Sequence, residues 1–231
     1  MKHSFAEYYH ELVFDDDIYL DYFNWVKREV RGETILECAC GTGYLSHLLA
    51  KDGYKVDALD NDESMIGFAK LNHRNDRLNF HYQSMFDLSP FGMYDAIIIF
   101  LDSLNYCRDI NELRLFFKQA YDHLNHNGIL LFDIHHPNRL NEFVDEYVEE
   151  GFILDNSYQW SIQSDGNRIH HNIVVYEDDS LFINQVNQVV YDSVTIETLL
   201  NELSFDFERV YYFNEAEFDL DEKLYYRARK G

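Results

Sequence analysis

Between residues 34 and 134, the chain alternates short apolar runs with amphipathic stretches of helical period. The run from Ala96 to Phe100 is apolar without alternation, which is typical of a strand covered on both faces. Five such runs predict strands at residues 34–39, 55–59, 78–82, 94–101 and 129–134. Helices are predicted between them at residues 44–51, 62–71 and 110–124. Alternating strands and helices of this length predict βαβ units and a parallel sheet.

The first thirty residues show helical spacing instead. Leu12, Tyr19, Tyr22 and Val26 recur at intervals of three, four or seven residues, and Asp15 to Asp17 could cap a second helix. We therefore expect residues 1–33 to form an N-terminal helical lid.

After residue 145 the pattern becomes a strand-like alternation. It predicts antiparallel strands over residues 145–192, inserted into the sheet domain as a cap or a dimer surface. A helix at 196–203 follows, and then strands at 205–213 and 223–229 that can pair antiparallel. Asn127-Gly128 is expected to stop the helix before the fifth strand. The main α/β domain is thus expected to comprise residues 34–144 and 193–231.

The first strand leads into a glycine-rich turn that ends at Gly43. Gly41 and Gly43 allow a sharp bend and a close approach of the backbone to a ligand. In such a fold the ligand binds at the carboxyl ends of the strands. Glu37, at the end of the strand, would suit a cationic group, whereas Asp60, at the end of the second strand, stands where a carboxylate accepts hydrogen bonds from a ribose.

A dinucleotide site is the alternative for this turn. Its fingerprint needs a third glycine where this chain has Ser46. Glu37 would also repel a pyrophosphate. These two features make a nicotinamide oxidoreductase the least favoured function.

Three segments together resemble the class I S-adenosylmethionine (SAM)-dependent methyltransferases: Glu37-x-Ala39-x-Gly41-x-Gly43, Leu59-Asp60-x-x-x-Ser64-Met65 and Asn127-Gly128. The resemblance covers residues 34–134 and resumes at the final strand pair. It implies a Rossmann-like α/β fold: a seven-stranded, mostly parallel sheet with helices on both faces, here with the small antiparallel insertion. It also implies SAM as cofactor, bound through Glu37, Ala39, Cys40, Gly41, Thr42, Gly43, Asp60, Asn61, Met65, Ser84, Met85, Leu101 and Asp102.

Some segments depart from the family pattern. Ser84 stands where family members usually carry an acid, although its hydroxyl can still bond the adenine and Met85 can pack on the ring. Tyr9 lies in a segment that resembles the lid of small-molecule members, and it is either a lid residue or a core aromatic. The Asn-Pro-Pro-Tyr signature is absent, which argues against methylation of adenine or cytosine amines.

A general base is needed only if the acceptor must lose a proton. The candidates near the reacting centre are Tyr9, Tyr106, His135 and its neighbour His136. No ligand spacing indicates a metal site, so we expect none.

The net charge of −23 opposes a polyanionic substrate at long range. We therefore expect a small-molecule acceptor, no nucleic acid or membrane partner and, as one use of the insertion, a homodimer. Three cysteines and no signal-like N-terminus favour a cytoplasmic location. An RNA or protein methyltransferase and a SAM-binding regulator without catalysis stay open as alternatives; a basic patch would favour the former, but Arg108, Arg114 and Arg139 are scattered.

Overall fold

The computed structural model describes residues 3–211 and 222–231. Its strands are β1 (Thr34–Cys38), β2 (Lys55–Asp60), β3 (Leu78–Tyr82), β4 (Tyr94–Ile99), β5 (Leu124–His135), β6 (Tyr147–Ile153), β7 (Asn156–Asp165), β8 (Arg168–Tyr176), β9 (Leu181–Val189), β10 (Phe205–Val210) and β11 (Lys223–Lys230). Its helices are α1 (Phe5–Val13), α2 (Asp16–Glu29), α3 (Tyr44–Lys51), α4 (Glu63–Asn72), α5 (Ile110–His123), α6 (Arg139–Glu142) and α7 (Ser193–Glu202), with a 3₁₀ turn at Ser103–Tyr106.

Seven strands form the main sheet in the order β10-β11-β5-β4-β1-β2-β3. The strands from β5 to β3 are parallel, whereas β11 runs antiparallel to both β5 and β10. The inserted strands form a separate antiparallel sheet in the order β6-β7-β8-β9. The predicted fold class is therefore confirmed, including the antiparallel insertion and the final antiparallel pair.

The α5 helix ends within one residue of the predicted bound, but the prediction that Asn127-Gly128 stops it was wrong. The helix ends at His123, and β5 begins at once with Leu124 paired to Tyr94. Asn127 and Gly128 lie instead in an irregular part of β5, where the register with β4 shifts. Asn127 has a φ of 61°, and a Cβ on Gly128 would come within 2.8 Å of a backbone carbonyl. The dipeptide therefore shapes a bulge within the strand rather than a helix stop.

The two N-terminal helices have different surroundings. The α2 helix is capped by Asp15, and it buries Trp25 and Val26 against the same face of the main sheet as α3 and α4. The α1 helix begins with a capping box between Ser4 and Glu7 and packs Tyr8 against the inner face of the inserted sheet. Of these two helices, α1 therefore contacts the inserted sheet and α4, whereas α2 covers the main sheet.

The other face of the main sheet is covered by α5 and α7, which bury mainly aliphatic and phenylalanine side chains. The two layers leave the carboxyl ends of β1, β2, β4 and β5 facing α1 and the inserted sheet. None of the described helices is long and apolar enough to cross a membrane.

Candidate active site

The turn between β1 and α3 exposes backbone to a cleft. Ala39, Gly41 and Gly43 have positive φ values of 54°, 53° and 78°. A Cβ on Gly43 would lie 2.5 Å from the ring of Phe80, so this position requires glycine for packing. A Cβ on Gly41 would meet nothing within 4 Å. The backbone at Gly41 is therefore open to a ligand, as the sequence predicts.

Glu37 is the penultimate residue of β1, beneath this turn, and is 6% exposed. The hydroxyl of Ser46, on α3, donates a hydrogen bond to its Oε2. Burial raises the pKa of Glu37 to about 8, although the Ser46 bond opposes the shift. Without a cation beside it, this carboxyl group is therefore largely protonated at neutral pH.

Asp60 occupies the end of the neighbouring strand β2. Its Oδ2 accepts the N–H of Gly41 at 2.8 Å, and its Oδ1 accepts the N–H of Asp62 at 2.9 Å. Burial raises the pKa of Asp60, and these backbone bonds oppose the rise. The carboxylate thus fixes the glycine turn and lies within electrostatic reach of Glu37.

An enclosed cleft lies above the ends of β1 and β4. Its lining comprises Tyr9, Tyr19, Tyr22, Glu37, Ala39, Cys40, Gly41, Leu45, Phe100, Leu101 and Ser103. Tyr9 comes from α1, and burial and the nearby Asp102 carboxylate raise its pKa to about 12. Tyrosine rings beside carboxylates favour a cationic ligand, through cation–π attraction and direct charge.

The turn after β4 carries two strained residues, Leu101 and Asp102, with φ values of 56° and 60°. The Asp102 carboxylate lies 3.0 Å from Nζ of Lys223 and 3.3 Å from Nδ1 of His135. Although Asp102 is buried, the charge of Lys223 lowers its pKa, so it is ionised. Strain of this kind is concentrated at functional sites.

Lys223 also lies 2.9 Å from Asp133, which is fully buried in β5 and accepts a bond from the hydroxyl of Tyr22 at 2.9 Å. Sequence reasoning missed both Asp133 and Lys223. The signal for Asp133 was present: it is an acid inside the otherwise apolar run from Ile129 to Ile134. Lys223 could not be placed because the pairing of its strand with β5 is a long-range feature.

His135 lies at the end of β5 and is 6% exposed. Its Nε2 lies 2.8 Å from Oε1 of Gln188, which in turn is 3.0 Å from Nε2 of His171. The indole N–H of Trp160 donates to Nδ1 of His171 at 3.3 Å, so Nε2 of His171 carries the proton and Gln188 accepts. Gln188 on β9 therefore holds Nε2 of His135, whereas Nδ1 faces the Asp102 carboxylate without a hydrogen bond to any described residue.

The remaining sequence candidates are not among the residues that line the cleft. Thr42 and Met65 are buried, Asn61 is exposed, and Met85 packs against the main core. Ser84 accepts the N–H of Phe86 at 3.2 Å. Tyr106 is 41% exposed, and its hydroxyl interacts electrostatically with Tyr9 and Asp102. His136 accepts the N–H of Asn138 through Nδ1 at 3.1 Å.

These residues fit an adenosyl amino acid better than a dinucleotide. Asp60 is bonded to the N–H of Gly41, and the ionised Asp102 lies near Tyr9, which lines the same cleft; this acidic surrounding would oppose a pyrophosphate. That Glu37 holds the ammonium end and Asp60 the ribose stays a prediction of the family resemblance. When bound, SAM supplies a sulfonium-activated methyl group.

A family model described as a methyltransferase domain matches residues 35–128. The chain is 30% identical to YqeM of Bacillus subtilis (strain 168), a protein named as a methyltransferase, over 99% of this chain and 96% of that protein. A protein of Geobacillus sp. (strain WCH70), also named as a methyltransferase, is 31% identical over 68% of this chain and 67% of its own length.

Solved structures show the same fold. A SAM-dependent methyltransferase from Clostridium acetobutylicum superposes with a TM-score of 0.80 at 22% identity, covering 98% of each chain. The sugar N-methyltransferase KedS8 from Streptoalloteichus has a TM-score of 0.80 at 16% identity, covering 100% of this chain and 94% of its own. CalS10, an amino pentose methyltransferase with SAM bound, reaches 0.73 at 16% identity. The chain therefore belongs to the class I SAM-dependent methyltransferases, and SAM is its cofactor.

Proposed function

We propose that this methyltransferase acts on a small molecule held between the cofactor cleft, α1 and the inserted sheet. One observation carries the proposal: Tyr9 of α1 lines the cleft, while the adjacent Tyr8 packs against the inserted sheet. An acceptor must enter a narrow covered space of this kind, which suits a small molecule better than a folded macromolecule.

Charge supports the same class of acceptor. The net charge of −23 repels polyanions. The three arginines that could have formed a basic patch all pair with carboxylates: Arg108 with Glu112, Arg114 with Glu202, and Arg139 with Glu142 and Glu222. This pairing leaves them poorly suited to binding RNA phosphates.

The side chains near the reacting centre favour an acceptor whose attacking atom already has a free lone pair. Of the candidate bases, Tyr9 lines the cleft and stays protonated at neutral pH, whereas His135 is not among the lining residues. None of the described candidates therefore offers an unprotonated base within the lining of the cleft. A neutral amine needs no base before it attacks, and the structural neighbour KedS8 is a sugar N-methyltransferase.

The role of the chain is then alignment and exclusion of water, which can supply much of the acceleration for an activated donor. Tyr9 and Tyr19 cover the cleft, and Asp102 is held in place by Lys223 and His135. The three free, buried cysteines agree with the reducing cytoplasm that the sequence predicts, and we propose that location.

A labelled-methyl screen tests the proposal. The protein is incubated with methyl-labelled SAM in three separate reactions. The acceptors are the low-mass fraction of a bacterial extract, bulk tRNA, and the protein fraction of the extract. We expect label in the low-mass fraction only, and no labelling by Asp60→Ala. Label in tRNA or protein would contradict the small-molecule proposal, and SAM binding without any transfer would favour the regulator.

A further inference from the structure

Two buried atoms beside the cleft face each other without a hydrogen bond. Nδ1 of His135 lies 3.3 Å from Oδ1 of Asp102, and neither atom has a hydrogen-bond partner among the described residues. The side chains of His135 and Asp102 are only 7% and 15% exposed. Buried polar atoms are nearly always hydrogen-bonded, so two unpartnered ones at the same place need a physical explanation.

A chain of hydrogen bonds from the inserted sheet assigns the proton of His135. The indole N–H of Trp160 donates to Nδ1 of His171, which leaves the proton of that ring on Nε2. Nε2 of His171 and Nε2 of His135 both contact Oε1 of Gln188, at 3.0 and 2.8 Å. Because an amide oxygen can only accept, Nε2 of His135 also carries a proton. In the neutral ring of His135, Nδ1 is therefore a lone-pair acceptor.

Oδ1 of Asp102 is an acceptor as well. Lys223 holds the other oxygen, Oδ2, at 3.0 Å, and its charge lowers the pKa of Asp102, so the carboxylate is ionised. Two acceptors at 3.3 Å repel each other unless a donor satisfies both. The pair is thus complementary to a hydrogen-bond donor, and a cationic donor gains additionally from the charge of Asp102.

This pair lies between the cofactor cleft and the inserted sheet. On one side, Asp102 directly follows Leu101, which lines the cleft. On the other side, His135 is bonded to Gln188 of β9. Tyr106, which is 41% exposed, interacts electrostatically with Asp102 and adds an aromatic ring that favours a cation. The pair therefore stands where the proposed acceptor would be held.

We propose that Asp102 and His135 recognise an amine of the methyl acceptor, whose N–H groups donate to Oδ1 and Nδ1. Alkyl amines are cationic at neutral pH, so the ionised Asp102 favours them over neutral hydroxyl groups. The assignment rests on the proposed small-molecule acceptor and adds its chemical class, a small amine. It concerns recognition, and it holds whichever atom of the acceptor is methylated.

Methylammonium tests the pair without knowledge of the acceptor. The protein is first saturated with S-adenosylhomocysteine, the demethylated form of SAM, so that the cofactor site is occupied. Saturation-transfer NMR then measures the binding of methylammonium and of tetramethylammonium, which has the same charge but no N–H donor. We expect methylammonium to bind saturably and about tenfold or more tightly than tetramethylammonium. Equal affinities, or no binding of methylammonium, would overturn the proposal.

Two substitutions at His135 separate recognition from a structural role. His135→Gln keeps an amide near Nε2, beside Gln188, but has no acceptor in place of Nδ1, whereas His135→Asn keeps an amide near Nδ1 and loses the bond to Gln188. Recognition through Nδ1 predicts that His135→Gln weakens methylammonium binding about tenfold and that His135→Asn stays within about threefold of wild type. The reverse order, or equal losses, would show a structural role instead and overturn the proposal.

A control variant lies on the same strand. His126→Gln, at an exposed position near the start of β5, should bind methylammonium like wild type. Binding of S-adenosylhomocysteine by all three variants shows that they fold.

A second version of the labelled-methyl screen tests the class of acceptor. Acetic anhydride in water first blocks the primary and secondary amines of the low-mass fraction, and we expect the label to be lost. Label that persists after this treatment would overturn the amine assignment and leave the small-molecule acceptor in place. A low-mass fraction that takes no label even before treatment would contradict the proposed function, and the methylammonium experiment would still decide what the pair binds.

Discussion

The hydroxyl of Ser46 donates a hydrogen bond to the carboxyl group of Glu37, and both side chains are buried. Ser46 stands where a dinucleotide-binding turn would have its third glycine. Here the first turn of α3 instead provides a partner for an acid beneath the cofactor cleft. The serine that replaces the third glycine of the dinucleotide fingerprint and the acid Glu37 are therefore the two partners of one hydrogen bond.

The raised pKa of Glu37 predicts a pH-dependent affinity for SAM. The carboxyl group ionises near pH 8 in the free protein, against an ordinary value of 4.5. Because the ammonium of SAM needs the ionised form, affinity should rise as pH increases towards 8. Calorimetric titration over this range tests the trend, and Glu37→Gln should lose it together with about 1.5–3 kcal/mol of binding free energy.

The same residue should have the opposite effect on the stability of the free protein. Between pH 4.5 and 8 the folded state holds a proton on Glu37 that the unfolded chain has lost, so the free energy of unfolding falls as pH rises through this window. Glu37→Gln should remove this decline and be more stable than wild type above pH 8 in urea unfolding. Equal slopes in both proteins would contradict the assignment.

Tyr9 should control the escape of the cofactor. Tyr9→Phe keeps the ring over the cleft, so SAM should dissociate at nearly the wild-type rate. Tyr9→Ala removes the ring that covers the cleft, and loss of that apolar contact should raise the dissociation constant for SAM about tenfold or more. Stopped-flow release of SAM distinguishes the two variants, and similar rates in both would mean that Tyr9 is only a packing residue.

Gln188 should matter for stability although it lies on the inserted sheet. Gln188→Leu leaves the buried N–H groups of His135 and His171 without their acceptor, which should cost about 1–3 kcal/mol in urea unfolding. The matched change Gln185→Leu, on the outer face of the same strand, should stay within about 0.5 kcal/mol. An equally small effect at both positions would show that the bonds to Gln188 contribute little.

A group of histidines under α1 should weaken the fold in acid. The rings of His47 and His73 stack at 4.8 Å, and burial, with His47 and His10 nearby, lowers the pKa of His73 to about 4 from 6.5. The unfolded chain binds this proton first, so stability is complete above pH 6.5 and is lost as pH falls towards 4. Thermal melts of His73→Asn should lose less stability over this range than wild type, whereas His126→Asn, at an exposed position, should follow wild type.

Much of the architecture followed from local patterns. The five parallel strands and their helices were predictable because each buried strand is an unbroken apolar run, and the capping aspartates Asp15 and Asp62 mark helix starts. The error at Asn127-Gly128 arose because a residue with positive φ followed by glycine occurs both in β-bulges and at helix ends.

The site was only half predictable. Glu37 and Asp60 lie on consecutive strands joined by one helix, and Gly41 lies in the turn between the first strand and that helix, so their spacing along the chain sets their proximity. Asp102, Lys223 and Gln188 come together through β11 and β9, whose positions depend on long-range pairing that no local pattern encodes. The predicted strand at residues 205–213 runs partly outside the described residues.

The position of β11 has a consequence for how the protein matures on the ribosome. This strand lies between β5 and β10 in the main sheet, yet it is synthesised after every other described strand. Until it emerges, β5 presents an open hydrogen-bonding edge beside exposed apolar side chains, a state prone to mispairing in nascent chains. The main sheet is therefore completed late in synthesis. The same step brings Lys223 next to Asp102 and Asp133.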